Sequence, residues 1–209
     1  MPDHTGQPLK IHSNIAHITN NQKTGVSFVS TARHDTYPAI NPANANLAGK
    51  VVLITGASKR IGKNIALAFA QAGITGIALF ARSNLHATEA ACLAAQRPGH
   101  PLKVLSLSVD TTDSAKVADA AEKVEAAFGR VDFIINNAGY MEPFRLIADT
   151  DPEEWWKTWT VNVLGTYHVT RAFLPLLVKC GGEKTVINMT SIGAHFLGPQ
   201  VSAYQVRAR

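Results

Sequence analysis

This 209-residue sequence predicts an α/β fold with a doubly wound parallel sheet, on three observations. Five short apolar runs lie at residues 51–54, 77–80, 104–109, 131–135 and 186–189. They are rich in Val and Ile and mostly lack polar alternation, as strands buried on both faces should be. Segments of helical period alternate with them, and the connections are short. Parallel neighbours need a helix in each crossover, so helices are expected on both faces of a sheet ordered 3-2-1-4-5.

The helices read as follows. Residues 61–72 place Ile61, Ile65, Ala68, Phe69 and Ala72 at helical spacing and stop at Gly73. An Ala-rich helix over 85–96 ends before Pro98-Gly99. Asp113 can cap a helix that runs to Phe128 and ends at Gly129. A helix over 152–177 is expected to be interrupted near its start, with Trp155, Trp156 and Trp159 as packing residues.

Residues 50–209 form the predicted domain, and the polar residues 1–49 an N-terminal extension, disordered or draped on it. The extension has one apolar patch, Val26, Phe28 and Val29, and a linker around Pro38, Pro42 and 41–46. The apolar fraction of 46% and charged fraction of 17% are globular values. The net charge is +5, but Lys and Arg are scattered, so no nucleic-acid face is expected. Cys92 and Cys180 stand far apart, outside metal-ligand spacing, which argues against a disulfide framework and a structural zinc. With no apolar leader and no membrane-length run, a cytoplasmic location and no membrane partner are expected.

In such sheets ligands bind beyond the carboxyl ends of the strands. The first strand leads into Thr55-Gly56-Ala57-Ser58-Lys59-Arg60-Ile61-Gly62. Gly56 allows a tight turn, small Ala57 and Ser58 admit a pyrophosphate to the backbone N–H groups, and Gly62 lets the helix pack closely. Arg82 ends the second strand, where a carboxylate would suit NAD and a cation suits the extra phosphate of NADP. Lys59 adds a second cation. Asp110 follows the third strand and, alone, reads equally well as a turn former. Asn136-Asn137-Ala138-Gly139-Tyr140 follows the fourth, Asn162 lies in the next helix, and Ser191 ends the fifth, thirteen residues before Tyr204.

These motifs, over residues 50–205, resemble the short-chain dehydrogenase/reductase family with its Rossmann-type fold. The resemblance implies an NAD(P)(H)-dependent oxidoreductase acting on a carbonyl/alcohol pair, with NADP favoured over NAD. It implies that Thr55, Gly56, Ser58, Lys59, Arg60, Ile61, Gly62 and Arg82 bind cofactor. Asp110 would hold the adenine, and Asn137, Ala138 and Gly139 would line the adenosine ribose. Asn162 would hold a proton-relaying water, Ser191 would bond the carbonyl, and Tyr204 would exchange its proton. Full-length relatives are expected to be homo-oligomers acting on small molecules.

The sequence departs from the family pattern in three places. Arg60 replaces a glycine of the fingerprint, as in pteridine-reductase-like members. The family's Tyr-x-x-x-Lys places a cation over the tyrosine, lowering its pKa from ~10; here that position is Ala208. The fold is also incomplete at the C-terminus: the chain ends five residues after Tyr204, too few for a stable helix, before the expected last strands and substrate loop. Tyr204 is therefore expected on a frayed terminus, and the chain to be unstable and catalytically impaired. The alternative reading is an impaired protein that binds or senses dinucleotide. The residues after Gln205 are expected to be intron read-through, since Val206-Arg207 can be encoded by a donor-site sequence and the lead-in at 34–40 resembles fungal members.

Overall fold

The structure, a computed structural model, describes residues 35–194 and 200–208. Its sheet has five parallel strands: β1 (Val51–Thr55), β2 (Gly76–Ala81), β3 (Lys103–Ser108), β4 (Phe133–Asn136) and β5 (Thr185–Asn188). The order is β3-β2-β1-β4-β5, as the sequence predicts. Every residue of β1 and β2 is buried, which explains their unbroken apolar runs. Alternate residues serve opposite layers: Leu53 and Phe80 pack with Val117 and Phe173, while Val52, Ile54 and Leu79 pack with Ala66 and Ala70. β3 and β5 are the edge strands, and Ile187 on β5 is 42% exposed.

The helices are α1 (Arg60–Gln71), α2 (His86–Ala94), α3 (Ser114–Phe128), α4 (Pro152–Trp159), α5 (Gly165–Lys179) and α6 (Ser202–Ala208). Asp113 caps α3 through Oδ1, which accepts the N–H groups of Ala115 and Lys116 at 3.1 Å. Gly73 and Gly129 end α1 and α3 at φ of 74° and 69°. The expected interruption between α4 and α5 is a π-helical turn, Thr160–Leu164, with helical dihedrals at both its ends. Among the described residues no helix is long and apolar enough to cross a membrane.

One expectation is narrowed and one is corrected. Of the two readings of the extension, its end at residues 45–49 is draped on the domain: Leu47 donates to the Ala72 carbonyl (3.1 Å), Gly49 donates to Thr75 Oγ1 (2.7 Å), and Arg97 donates to the Ala45 carbonyl (2.6 Å). The patch at Val26, Phe28 and Val29, with the rest of 1–34, lies outside the described residues. The short terminal segment does form a helix, α6, because side chains from distant elements hold its first turn.

The start of the sheet is pinned by a buried charge. Asp132 is fully buried; its carboxylate accepts the Val51 N–H (2.9 Å) and both Nε (2.9 Å) and Nη2 (2.6 Å) of Arg130. That contact raises the Arg130 pKa. Removing the carboxylate leaves a guanidinium and a buried N–H unmatched. Arg130 is 35% exposed, so water relieves part of the loss. Asp132→Ala is expected to lower unfolding free energy by about 2–3 kcal/mol, short of the ~3–5 kcal/mol of a fully buried pair. Urea titration measures this, and an unchanged midpoint would refute the pinning role.

Candidate active site

The turn after β1 has room for nothing larger than glycine at two points. A Cβ on Gly62 would lie 2.4 Å from the Gly56 carbonyl oxygen, and one on Gly56 2.9 Å from the Ala138 backbone. Gly56 also sits at φ 64°. Thr88 Oγ1 donates to the Ala57 carbonyl (3.1 Å), and Ser83 donates to Ser58 Oγ (2.8 Å), so the loop is tied to the end of β2.

The loop after β4 closes against this turn. Thr55 Oγ1 accepts the N–H groups of Asn137 (3.0 Å) and Ala138 (2.9 Å), and Asn137 Nδ2 donates to the carbonyls of Thr55 (3.0 Å) and Gly56 (3.3 Å). Between these walls runs a cleft of about 610 Å³ at the carboxyl ends of the strands. Gly56, Ser58, Lys59, Arg60, Ile61 and Gly62 line one side of it. Arg82 and Asp110 line its β2–β3 end, and Asn137, Ala138 and Gly139 face them. Thr55 alone of the expected cofactor residues is absent from the lining; it is buried, and its hydroxyl holds the β4 loop instead.

The cleft is electropositive at its mouth. Arg60 holds the glycine position at φ 49°, a left-handed conformation rarely adopted by side-chain-bearing residues. Arg82 has a 63% exposed side chain, 3.8 Å from Asp110 Oδ2. Partial burial raises the Asp110 carboxyl, but hydrogen bonds from Thr112 and the nearby Arg82 and Lys116 outweigh this and hold it below the usual carboxylate range.

Asn162 sits buried in the π-turn, and both ends of its side-chain amide are hydrogen-bonded. Oδ1 accepts the Tyr140 N–H (2.8 Å) and Nδ2 donates to the Tyr140 carbonyl (2.6 Å). Its main-chain carbonyl accepts from Thr166 Oγ1 (2.9 Å) and keeps a second lone pair, with which it could hold a water. Ser191 Oγ accepts the Gly193 N–H (3.2 Å). A Cβ on Gly193 would lie 3.2 Å from the Tyr204 ring and 3.6 Å from Ser191 Oγ, so both expected residues gather at Gly193.

Sequence reasoning missed Glu142. Its buried carboxylate accepts the N–H groups of Ala203 (2.8 Å) and Tyr204 (3.1 Å) and the Thr158 hydroxyl (3.0 Å). A single glutamate between Met141 and Pro143 carries no signal of this. Trp155 donates from Nε1 to Ser202 Oγ (2.9 Å), which fits the packing expectation, whereas Trp156 is 62% exposed.

A glycine turn facing a cationic cleft, beneath a doubly wound parallel sheet, defines a Rossmann-type dinucleotide-binding domain. Residues 50–206 match the family model described as short chain dehydrogenase, and the chain belongs to that family. It is 54% identical over 183 residues to the "Short chain dehydrogenase mpl6" of Monascus purpureus, covering 87% of this chain and 62% of that protein. It superposes on NAD+-bound xylitol dehydrogenase with a TM-score of 0.70 at 29% identity, covering 78% of this chain and 60% of that one. A metagenomic short-chain oxidoreductase in complex with NADP gives 0.69 at 31% identity, covering 78% and 71%. The chain thus spans about three-fifths of the length of its relative from Monascus purpureus.

The left-handed Arg60 generates an expectation. Arg60→Gly should raise stability by up to about 1 kcal/mol by relieving the backbone. It should also weaken NADPH binding by removing a cation from the cleft. Thermal unfolding and calorimetric titration measure the two; a variant that is less stable would show that the Arg60 backbone is unstrained.

Proposed function

We propose that this chain is the cofactor-binding and proton-transferring body of an NAD(P)(H)-dependent oxidoreductase for a carbonyl/alcohol pair, with NADP(H) favoured. One observation carries the reading: Ser191 and Tyr204 meet at Gly193, beyond the same end of the sheet as the glycine-lined cleft. The dinucleotide, when bound, supplies or accepts a hydride. Its pyrophosphate would lie at the α1 N-terminus, against the backbone N–H groups beyond Gly56. The Ser191 hydroxyl would bond the substrate oxygen, and the Tyr204 phenol would donate the proton that completes the alcohol, or accept it in reverse.

The preference for NADP(H) rests on Arg82 and Lys59. Arg82 is exposed and its pairing with Asp110 is long, so a 2′-phosphate can compete for it. A second reading, a dinucleotide-binding protein without turnover, draws on Ala208 at the position of the family's lysine.

Calorimetric titration of NADPH and NADH separates these elements. Arg82→Asp should reduce the preference for NADPH by about tenfold or more, the effect of one charge-assisted contact. Equal loss for both cofactors would mean that Arg82 only supports the fold. Turnover across a carbonyl panel, abolished by Tyr204→Phe with nucleotide affinity intact, supports the enzyme. Affinity without turnover supports the second reading.

A further inference from the structure

We infer that Glu142 is a positioning residue that fixes Tyr204 relative to the cofactor cleft; this rests on the catalytic reading of Tyr204 above. Seven residues form a helix poorly by themselves, because nucleation is unfavourable and the first-turn N–H groups lack intrahelical partners. α6 meets both difficulties through distant contacts. Glu142, 3% exposed, gives Oε1 to the N–H groups of Ala203 and Tyr204, while its Oε2 accepts the Thr158 hydroxyl on α4. A carboxylate suits a helix start, where the aligned peptide dipoles present partial positive charge. The Arg145 N–H donates to the Gln200 carbonyl (2.9 Å), tying the approach to α6 to the same loop.

That loop is also the wall of the cleft. Gly139 lines the cleft, Tyr140 is clamped through N–H and C=O by Asn162, and Glu142 follows two residues later. The backbone from cleft wall to carboxylate is therefore short and held at both ends. This frame sets where α6 starts, and with it where Tyr204 lies. The Thr158 contact adds a second anchor from α4, so the carboxylate cannot turn without breaking a bond.

The test compares Glu142→Ala, Glu142→Gln and Glu142→Asp in the full chain. Glutamine can keep its carbonyl on the two N–H groups and direct its amide to the Thr158 oxygen, whereas aspartate is one methylene too short. Residue-resolved hydrogen exchange should show the Ala203 and Tyr204 amides exchanging on the order of tenfold faster or more in Glu142→Ala, as expected on losing a charge-assisted bond. Glutamine should restore most of the protection, with aspartate in between. Turnover should follow the same order in kcat, while KM and Kd for NADPH stay near wild type. Wild-type exchange at both amides in Glu142→Ala would overturn the proposal, as would an equal loss of NADPH affinity and kcat, which a general folding defect produces. If Glu142→Ala does not fold, the aspartate and glutamine pair gives the same comparison. Faster exchange with turnover unaffected by both Glu142→Ala and Tyr204→Phe would support the hold of Glu142 on α6 and overturn the catalytic reading of Tyr204.

Discussion

The side-chain amide of Asn137 donates to the carbonyls of both Thr55 and Gly56, and Thr55 returns its hydroxyl to the backbone of Asn137 and Ala138. These four hydrogen bonds join the end of β1 to the end of β4, 82 residues apart for the Thr55–Asn137 pair. They draw three stretches of backbone so close that a Cβ on Gly62 would meet both the Gly56 oxygen and Asn137 Nδ2 within 2.6 Å. The cleft has its narrow floor for this reason. The start of α1 can point at a ligand only because nothing bulkier stands between it and the β4 loop.

From this joint the constraint passes outward along one loop. Asn162 grips Tyr140 from the π-turn, and Glu142 takes the first N–H groups of α6. A π-turn widens the helix locally, and here it places a buried asparagine with both amide ends satisfied. Charge is arranged on the same plan. The buried carboxylates of Asp132 and Glu142 hold backbone in place, and the cations Lys59, Arg60 and Arg82 are left exposed at the cleft.

The sheet was legible in the sequence because its central strands are buried on both faces and so read as unbroken apolar runs. Helix ends were legible where a single residue sets them, as Asp113 and Gly129 do for α3. What escaped depends on long-range contacts. Glu142 lies 61 residues from Ala203, and no local pattern marks it as buried. Helix α6 is below the length at which propensity alone decides, so its formation could not be foreseen without that carboxylate. The retreat of Thr55 behind the cleft wall is a tertiary fact of the same kind. Among the Trp residues, period placed all three on one helix but could not tell exposed Trp156 from Trp155.

The central claim is that the residues gathered around the glycine turn form one dinucleotide site. Hydrogen exchange with and without saturating NADPH tests it most directly. Protection is expected only in segments 56–62, 81–83, 109–111 and 137–139 and around Val161, which line a single cleft though scattered along the chain. Protection elsewhere, or protection of the glycine turn without the β4 loop, would contradict it.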